Sequence, residues 1–123
     1  MKTYEDLIRI HNTPYLYDQN NKKLWGKVGK KFIIDLARKV GGKAVNVHIN
    51  PSGSVDRGYV SGFIIKNNKF VYILISDDNI STIGNILYRK VKNEQDYVGG
   101  ANNYFKIGDD VNKLIWSVSK LLQ

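Results

Sequence analysis

The chain has 123 residues, with 19 lysines and arginines against 11 aspartates and glutamates, so its formal net charge is +8 at pH 7. It contains no cysteine, which excludes a disulfide framework, a thiolate nucleophile and a cysteine-based metal site. This length predicts one compact domain over residues 1–123. No apolar run reaches the roughly 18 residues of a membrane span, and residues 1–10 do not resemble a secretory signal, so we expect a cytoplasmic protein.

The positive charge is concentrated in one part of the chain. Residues 22–43 hold eight lysines and arginines and a single acid, Asp35. A concentrated cationic surface attracts and steers polyanions, whereas the same charge scattered over the surface would chiefly keep a protein soluble. Nucleic acid is therefore the first partner to consider.

The N-terminal segment predicts a short helix. Thr3 is a candidate N-cap for a helix through about Asn12, and Pro14 is expected to end it. The following residues, 15–25, place polar residues between two aromatic and apolar pieces, which leaves an irregular loop and a small hairpin as alternatives.

A second helix is predicted from about Val28 to Val40, where apolar residues recur at helical spacing before Gly41 and Gly42 stop it. Its basic residues project away from the apolar stripe, so they form a face. We expect this face to contact phosphates, although a plain solvated helix surface has the same pattern. The proposed contacts are Lys27, Lys30, Lys31, Arg38 and Lys39.

After the glycines the apolar period changes from helical to two, which predicts antiparallel strands over about residues 44–50, 59–66, 70–76 and 86–92. Asn67 and Asn68 suit the positive φ angles of a tight hairpin turn between the second and third strands. The third strand is apolar at nearly every position, which indicates burial on both faces. One face of the fourth strand is expected to be exposed and basic.

The last segment, residues 109–122, has acids in its first turn and apolar residues at helical spacing. We therefore predict an α+β fold with a central antiparallel sheet of about four strands, N-terminal helices and a C-terminal helix packed on the sheet.

Gly26 and Gly29 form a GxxG sequence at the entry to the basic helix. Over about residues 24–47 this pattern resembles the RNA-binding KH module, whose GxxG loop clamps the nucleic-acid backbone between two helices. In that family a helix runs directly into the glycines, whereas Asn20 and Asn21 do not predict a helix here. Without the resemblance, a glycine-bearing basic helix entry is still a candidate phosphate contact.

The segment after the fourth strand combines two glycines with two tyrosines, Tyr97 and Tyr104. Arg89 and Lys90 would extend the basic footprint, and the tyrosines would stack on bases if the ligand is single-stranded. The alternative, which the residue types favour, is a glycine loop whose tyrosines are ordinary cover.

The acids and bases that could act in catalysis or metal binding are His11, His48, Asp56, Asp77, Asp78 and Glu94. His48, Arg57 and Glu94 would supply the base and cation of a metal-independent ribonuclease, but strand alternation favours a surface role for His48. The adjacent Asp77 and Asp78 suit Mg²⁺, although such a pair is more typical of a turn. No metal and no cofactor is assigned.

Three segments, residues 30–42, 58–76 and 86–105, together resemble small proteins carried by phages and other mobile elements of Gram-positive bacteria. The resemblance spans about residues 30–105 and implies a setting, since such elements carry DNA-handling accessories and inhibitors of host defence, including anti-CRISPR proteins. We expect a non-enzymatic accessory that binds nucleic acid. The alternatives are an inhibitor that occupies the nucleic-acid channel of a host defence nuclease, and the ribonuclease.

Overall fold

A computed structural model of the chain describes residues 1–13, 19–50 and 58–123, with side chains in the second helix from Lys23 onward. The fold is α+β, as the sequence predicts. Its elements in chain order are α1 (Lys2–Asn12), α2 (Gln19–Lys39), β1 (Lys43–Asn50), β2 (Tyr59–Lys66), β3 (Lys69–Ser76), β4 (Ile86–Val91), β5 (Asn103–Phe105) and α3 (Val111–Leu121).

The strands form one antiparallel sheet in the order β1-β2-β3-β4-β5. The prediction of about four strands missed β5, because three residues are too short to show a period of two. The predicted hairpin between β2 and β3 is confirmed, with φ angles of 52° at Asn67 and 63° at Asn68.

The three helices pack on one side of the sheet, which we call the helical face. One core cluster joins all three helices to the strands, with Leu7, Phe32 and Leu114 fully buried against residues such as Ile73. The other side, the loop face, carries a second cluster that contains no helix residue. The members of that cluster are Phe63, Tyr72, Leu87 and Val91. As predicted, β3 is central and buried on both faces.

Both N-terminal helices begin earlier than predicted. Met1 is the N-cap of α1, and the Thr3 hydroxyl instead donates to the Asp35 carboxylate on α2 at 2.8 Å. The second helix begins at Gln19, nine residues before the predicted start, so its first part replaces the loop or hairpin expected there. Trp25, fully buried, belongs to the helix stripe that packs on the sheet. Pro14 and residues 15–18 lie outside the described residues.

The prediction that one face of β4 is exposed and basic is wrong. Alternate residues of β4 point into the two covered faces of the sheet, so Tyr88 and Arg89 are both buried, and within the strand Lys90 alone is exposed.

At the N-terminal end of α3, Asp110 caps the helix by accepting from the backbone N–H of Asn112 at 3.0 Å. Across the described ranges, no helix is both long enough and apolar enough to cross a bilayer.

Candidate nucleic-acid interface

The two glycines of the GxxG sequence lie inside α2. They therefore do not form the loop between two helices that the resemblance to the KH module implies. A Cβ on Gly26 would lie 2.6 Å from Ile49 Cγ2, and one on Gly29 would lie 2.8 Å from Val60 Cγ2. Both distances are too short for carbon atoms in contact. The glycines therefore allow α2 to lie close against β1 and β2, and they serve helix-to-sheet packing.

This packing turns one basic side of α2 outward. At about 100° per residue, five exposed cations fall within a sector of about 100° and extend over about 22 Å of helix. We call this set the α2 stripe; its members are Lys23, Lys27, Lys30, Lys31 and Arg38. Lys39 is also exposed but lies outside the sector, in the last turn. The structure thus brings together four of the five α2 residues that the sequence singled out and adds Lys23.

Carboxylates neutralise little of the α2 stripe. Arg38 pairs with Asp35 at 3.2 Å, and that carboxylate also accepts from the Thr3 hydroxyl. Within the described parts of the chain, the four lysines of the stripe have no carboxylate within 4.0 Å. The stripe is therefore a surface of largely uncompensated positive charge.

A groove of about 490 Å³ runs between α1 and the start of the α2 stripe, with Lys27 and Lys31 on its lining. Its acid, Asp6, already accepts from Lys2 at 3.1 Å and from Arg9 at 3.0 Å. The hydrogen bond from Lys2 is the main cause that lowers the pKa of Asp6. The lining holds Arg9, Lys27 and Lys31 against this one acid, so the net charge of the groove is positive.

Arg89 does not lie on the surface, where a phosphate contact would have to be. It is buried on the loop face, with 9% of its surface exposed. Its guanidinium donates to the Asn102 side chain at 3.1 Å and to the carbonyl of Tyr97, and it lies 4.7 Å from the centre of the Tyr72 ring. These contacts hold residues 92–102 against the sheet, so Arg89 supports the fold and is not part of the basic surface.

Tyr97 and Tyr104 also lie on the loop face, on the opposite side of the sheet from the α2 stripe. The Tyr97 ring, 48% exposed, packs edge-on against Phe63 at 5.2 Å and Tyr72 at 5.7 Å between ring centres. Tyr104 is half-buried against the same cluster. Tyr72 is a buried member of this cluster, and its burial raises the pKa of its hydroxyl above the usual value. The structure therefore does not bring the predicted stacking tyrosines together with the predicted phosphate contacts.

Asp96 organises the loop that carries Tyr97, and the sequence analysis missed this role. Its carboxylate accepts from the backbone N–H groups of Lys92 at 3.2 Å, Val98 at 3.3 Å and Gly99 at 2.8 Å. These hydrogen bonds, that of Lys92 first, lower the pKa of Asp96. The signal was present, because an Asp two or three residues before a glycine is typical of such turns.

The structure pairs two of the candidate acid and base residues. His11 Nδ1, in the last turn of α1, lies 2.9 Å from Asp77 Oδ1 at the end of β3. His48 is exposed on β1, and Glu94 lies in the loop after β4, where its carbonyl accepts from Asn46 at 3.4 Å. The pair between His11 and Asp77 joins α1 to the sheet.

Asp78 is exposed beyond the end of β3. Asp56 and Arg57 lie outside the described residues. Among the residues that can be placed, no group of three or more His, Asp and Glu side chains is arranged to hold a metal ion.

Comparison with known protein families, with curated proteins and with solved structures found no match. The resemblance to proteins of phages and mobile elements therefore stays a prediction.

Proposed function

We propose that the protein binds the phosphate backbone of a nucleic acid through the α2 stripe and acts as a non-enzymatic binding protein. The observation that carries this proposal is the stripe itself: five exposed cations on one side of a single helix, four of them without a carboxylate partner in the described chain. A long row of cations on one helix side is the electrostatic pattern of backbone binding.

The cost of this arrangement favours a ligand over a surface that only confers solubility. Lys23 and Lys27, and Lys27 and Lys31, are spaced four residues apart on α2, where like charges destabilise a helix by about 0.2–0.5 kcal/mol for each pair. Alternating acids and bases would keep the helix soluble without this cost. Bound phosphates would remove the repulsion and release the counterions that the cations otherwise hold.

Lysine provides point charges with flexible stems, so it suits phosphate contacts better than base recognition. We therefore expect little sequence specificity. Tyr97 and Tyr104 lie across the sheet from the stripe, and Arg89 is engaged in the fold, so none of the three belongs to the proposed interface. Five backbone contacts would give a slope of log affinity against log salt of about −4.5 for duplex DNA and about −3.5 for a single strand.

The test is fluorescence anisotropy of labelled single-stranded and duplex DNA and RNA across a salt series. The double variant Lys27→Gln/Lys31→Gln removes two contacts, so its slope should be shallower than that of the unmodified protein by about 1.4–1.8. The matched control is Lys113→Gln/Lys120→Gln, which makes the same charge change on exposed positions of α3. The control should keep the original slope.

Two results would overturn the proposal. Equal slopes for the stripe variant and the α3 control would mean that binding follows net charge and not the stripe. No binding by the unmodified protein at low salt would remove nucleic acid as the ligand. That result would instead favour the inhibitor hypothesis, in which the ligand is a protein that has an acidic surface or an empty nucleic-acid channel.

A further inference from the structure

Lysines that are far apart in the sequence lie at the end of the sheet that holds the hairpin between β2 and β3. We call this set the hairpin-end cluster; its members are Lys39, Lys66, Lys69, Lys90 and Lys92. All are exposed except Lys66, which is half-buried. They come from the end of α2, from both strands of the hairpin, and from the end of β4 and the residue after it.

Strand register places three of these lysines on the helical face. Lys66 lies directly opposite Lys69, and Lys90 lies opposite Val71, two residues along from Lys69. Because side chains alternate between the faces, Lys69 shares the face of Val71, whose side chain is in the core beneath the helices. Lys66 and Lys69 therefore lie side by side on this face, and Lys90 lies diagonally from Lys69 on the neighbouring strand.

The end of α2 joins these three lysines to the α2 stripe. The helix closes at Gly41 and Gly42, whose N–H groups donate to the carbonyls of Arg38 at 3.0 Å and Ala37 at 2.8 Å. Lys66 Nζ lies 3.4 Å from the position that a Cβ on Gly41 would take. The hairpin-end cluster thus begins next to the turn that carries Arg38, the last cation of the stripe.

Within the described chain, acids compensate little of the charge of the cluster. None of its five lysines has a carboxylate within 4.0 Å there. Asp35 is engaged with Arg38 and Thr3. Asp96 accepts from three backbone N–H groups, one of them that of Lys92, and it attracts the Lys92 ammonium electrostatically without an ion pair. Like charges directly opposite on paired strands destabilise a hairpin, so the facing Lys66 and Lys69 would gain from a bound anion.

We propose that the hairpin-end cluster is a second phosphate-binding site, continuous with the α2 stripe, and that one polynucleotide backbone contacts both. This inference rests on the proposed function and extends it, because it requires a ligand long enough to pass from the helix to the sheet end. The stripe covers about 22 Å, and two strand spacings add about 10 Å. The combined track of about 32 Å corresponds to about nine base pairs of duplex.

The experiment compares Lys69→Gln/Lys90→Gln with the unmodified protein and with the α3 control Lys113→Gln/Lys120→Gln. The ligand is a labelled 12-base-pair DNA duplex, titrated across a salt series. We expect the cluster variant to lose about 1.8 from the salt slope, because two backbone contacts are removed, while the control keeps it. Both mutated positions are exposed, and thermal unfolding of each variant checks that it is folded.

A second measurement uses duplexes of different length. Binding by the unmodified protein should strengthen as the duplex grows from about six to about ten base pairs, whereas the cluster variant should stop gaining at about six, where the stripe alone is filled.

The outcomes separate this inference from the proposed function. If the cluster variant keeps the full slope while Lys27→Gln/Lys31→Gln loses about 1.8, the hairpin-end cluster is not a binding site and the stripe still is. If the unmodified protein binds no duplex at low salt, the proposed function fails for that ligand and the extension fails with it.

Discussion

The two sides of the sheet use cations in opposite ways. On the loop face, Arg89 is buried beneath residues 92–102, with two hydrogen bonds and the Tyr72 ring as partners. Above the helical face, the α2 stripe points to solvent, and four of its cations lack a carboxylate partner in the described chain. Positive charge thus stabilises the fold on one side and costs free energy on the other. Burial and partners, and not residue type, distinguish a structural cation from a candidate ligand contact.

The largest effect is expected on the loop face. Arg89→Ala removes two charged hydrogen bonds and a cation–π contact, so the free energy of unfolding should fall by about 2–3 kcal/mol. Urea denaturation followed by tryptophan fluorescence would measure it, because Trp25 is fully buried. Arg89→Lys should be intermediate, since an ammonium cannot reproduce the planar fork of donors.

The matched control for this prediction is Lys90→Ala, at the next residue of the same strand. Lys90 is exposed, so its loss should change the free energy of unfolding by less than about 0.5 kcal/mol. Equal destabilisation by Arg89→Ala and Lys90→Ala would show that the buried contacts of Arg89 contribute little, and the contrast between the two faces would not hold.

A smaller effect is expected where α2 contacts the sheet. Gly29→Ala places a methyl group against Val60, which is fully buried and has a stiff, branched side chain. Overpacking costs about 1–3 kcal/mol, and the better helix propensity of alanine returns about 1 kcal/mol, so a net loss of about 1 kcal/mol is expected. Gly26→Ala should be close to neutral, because its neighbour Ile49 is 44% exposed and has room to move.

Thermal unfolding of the two glycine variants measures this difference directly. If Gly29→Ala is as stable as the unmodified protein, α2 is not held against β2 as closely as the glycine implies. In that case the outward direction of the α2 stripe would no longer be fixed by this contact.

The smallest change in stability is expected on the α2 stripe, and its sign is opposite to that of Arg89→Ala. Lys27→Gln removes its repulsive pairs with Lys23 and Lys31, so the free energy of unfolding should rise by about 0.4–1 kcal/mol. The same change should weaken nucleic-acid binding. Urea denaturation and anisotropy on one preparation test both effects, and a loss of stability would contradict the view that the stripe is strained by its own charge.

Much of the fold could be predicted because its signals are local. Four strands, the turn at Asn67 and Asn68, and the C-terminal helix follow from residues close together in the chain. The start of α2 could not be predicted, because Asn20 and Asn21 are weak helix formers and the packing of Trp25 and the two glycines on the sheet is a tertiary contact. The strand β5 is short and depends on pairing with β4.

The sequence by itself determined the secondary structure of most segments and the concentration of positive charge in residues 22–43, because period and charge are properties of neighbouring residues. Tertiary structure alone decided that Arg89 is buried, that Tyr97 lies across the sheet from the α2 stripe, and that the hairpin-end cluster exists. Each of these depends on which face of the sheet a residue occupies after the strands pair and the helices pack. That face is set by the strand register, which pairs residues that are far apart in the chain.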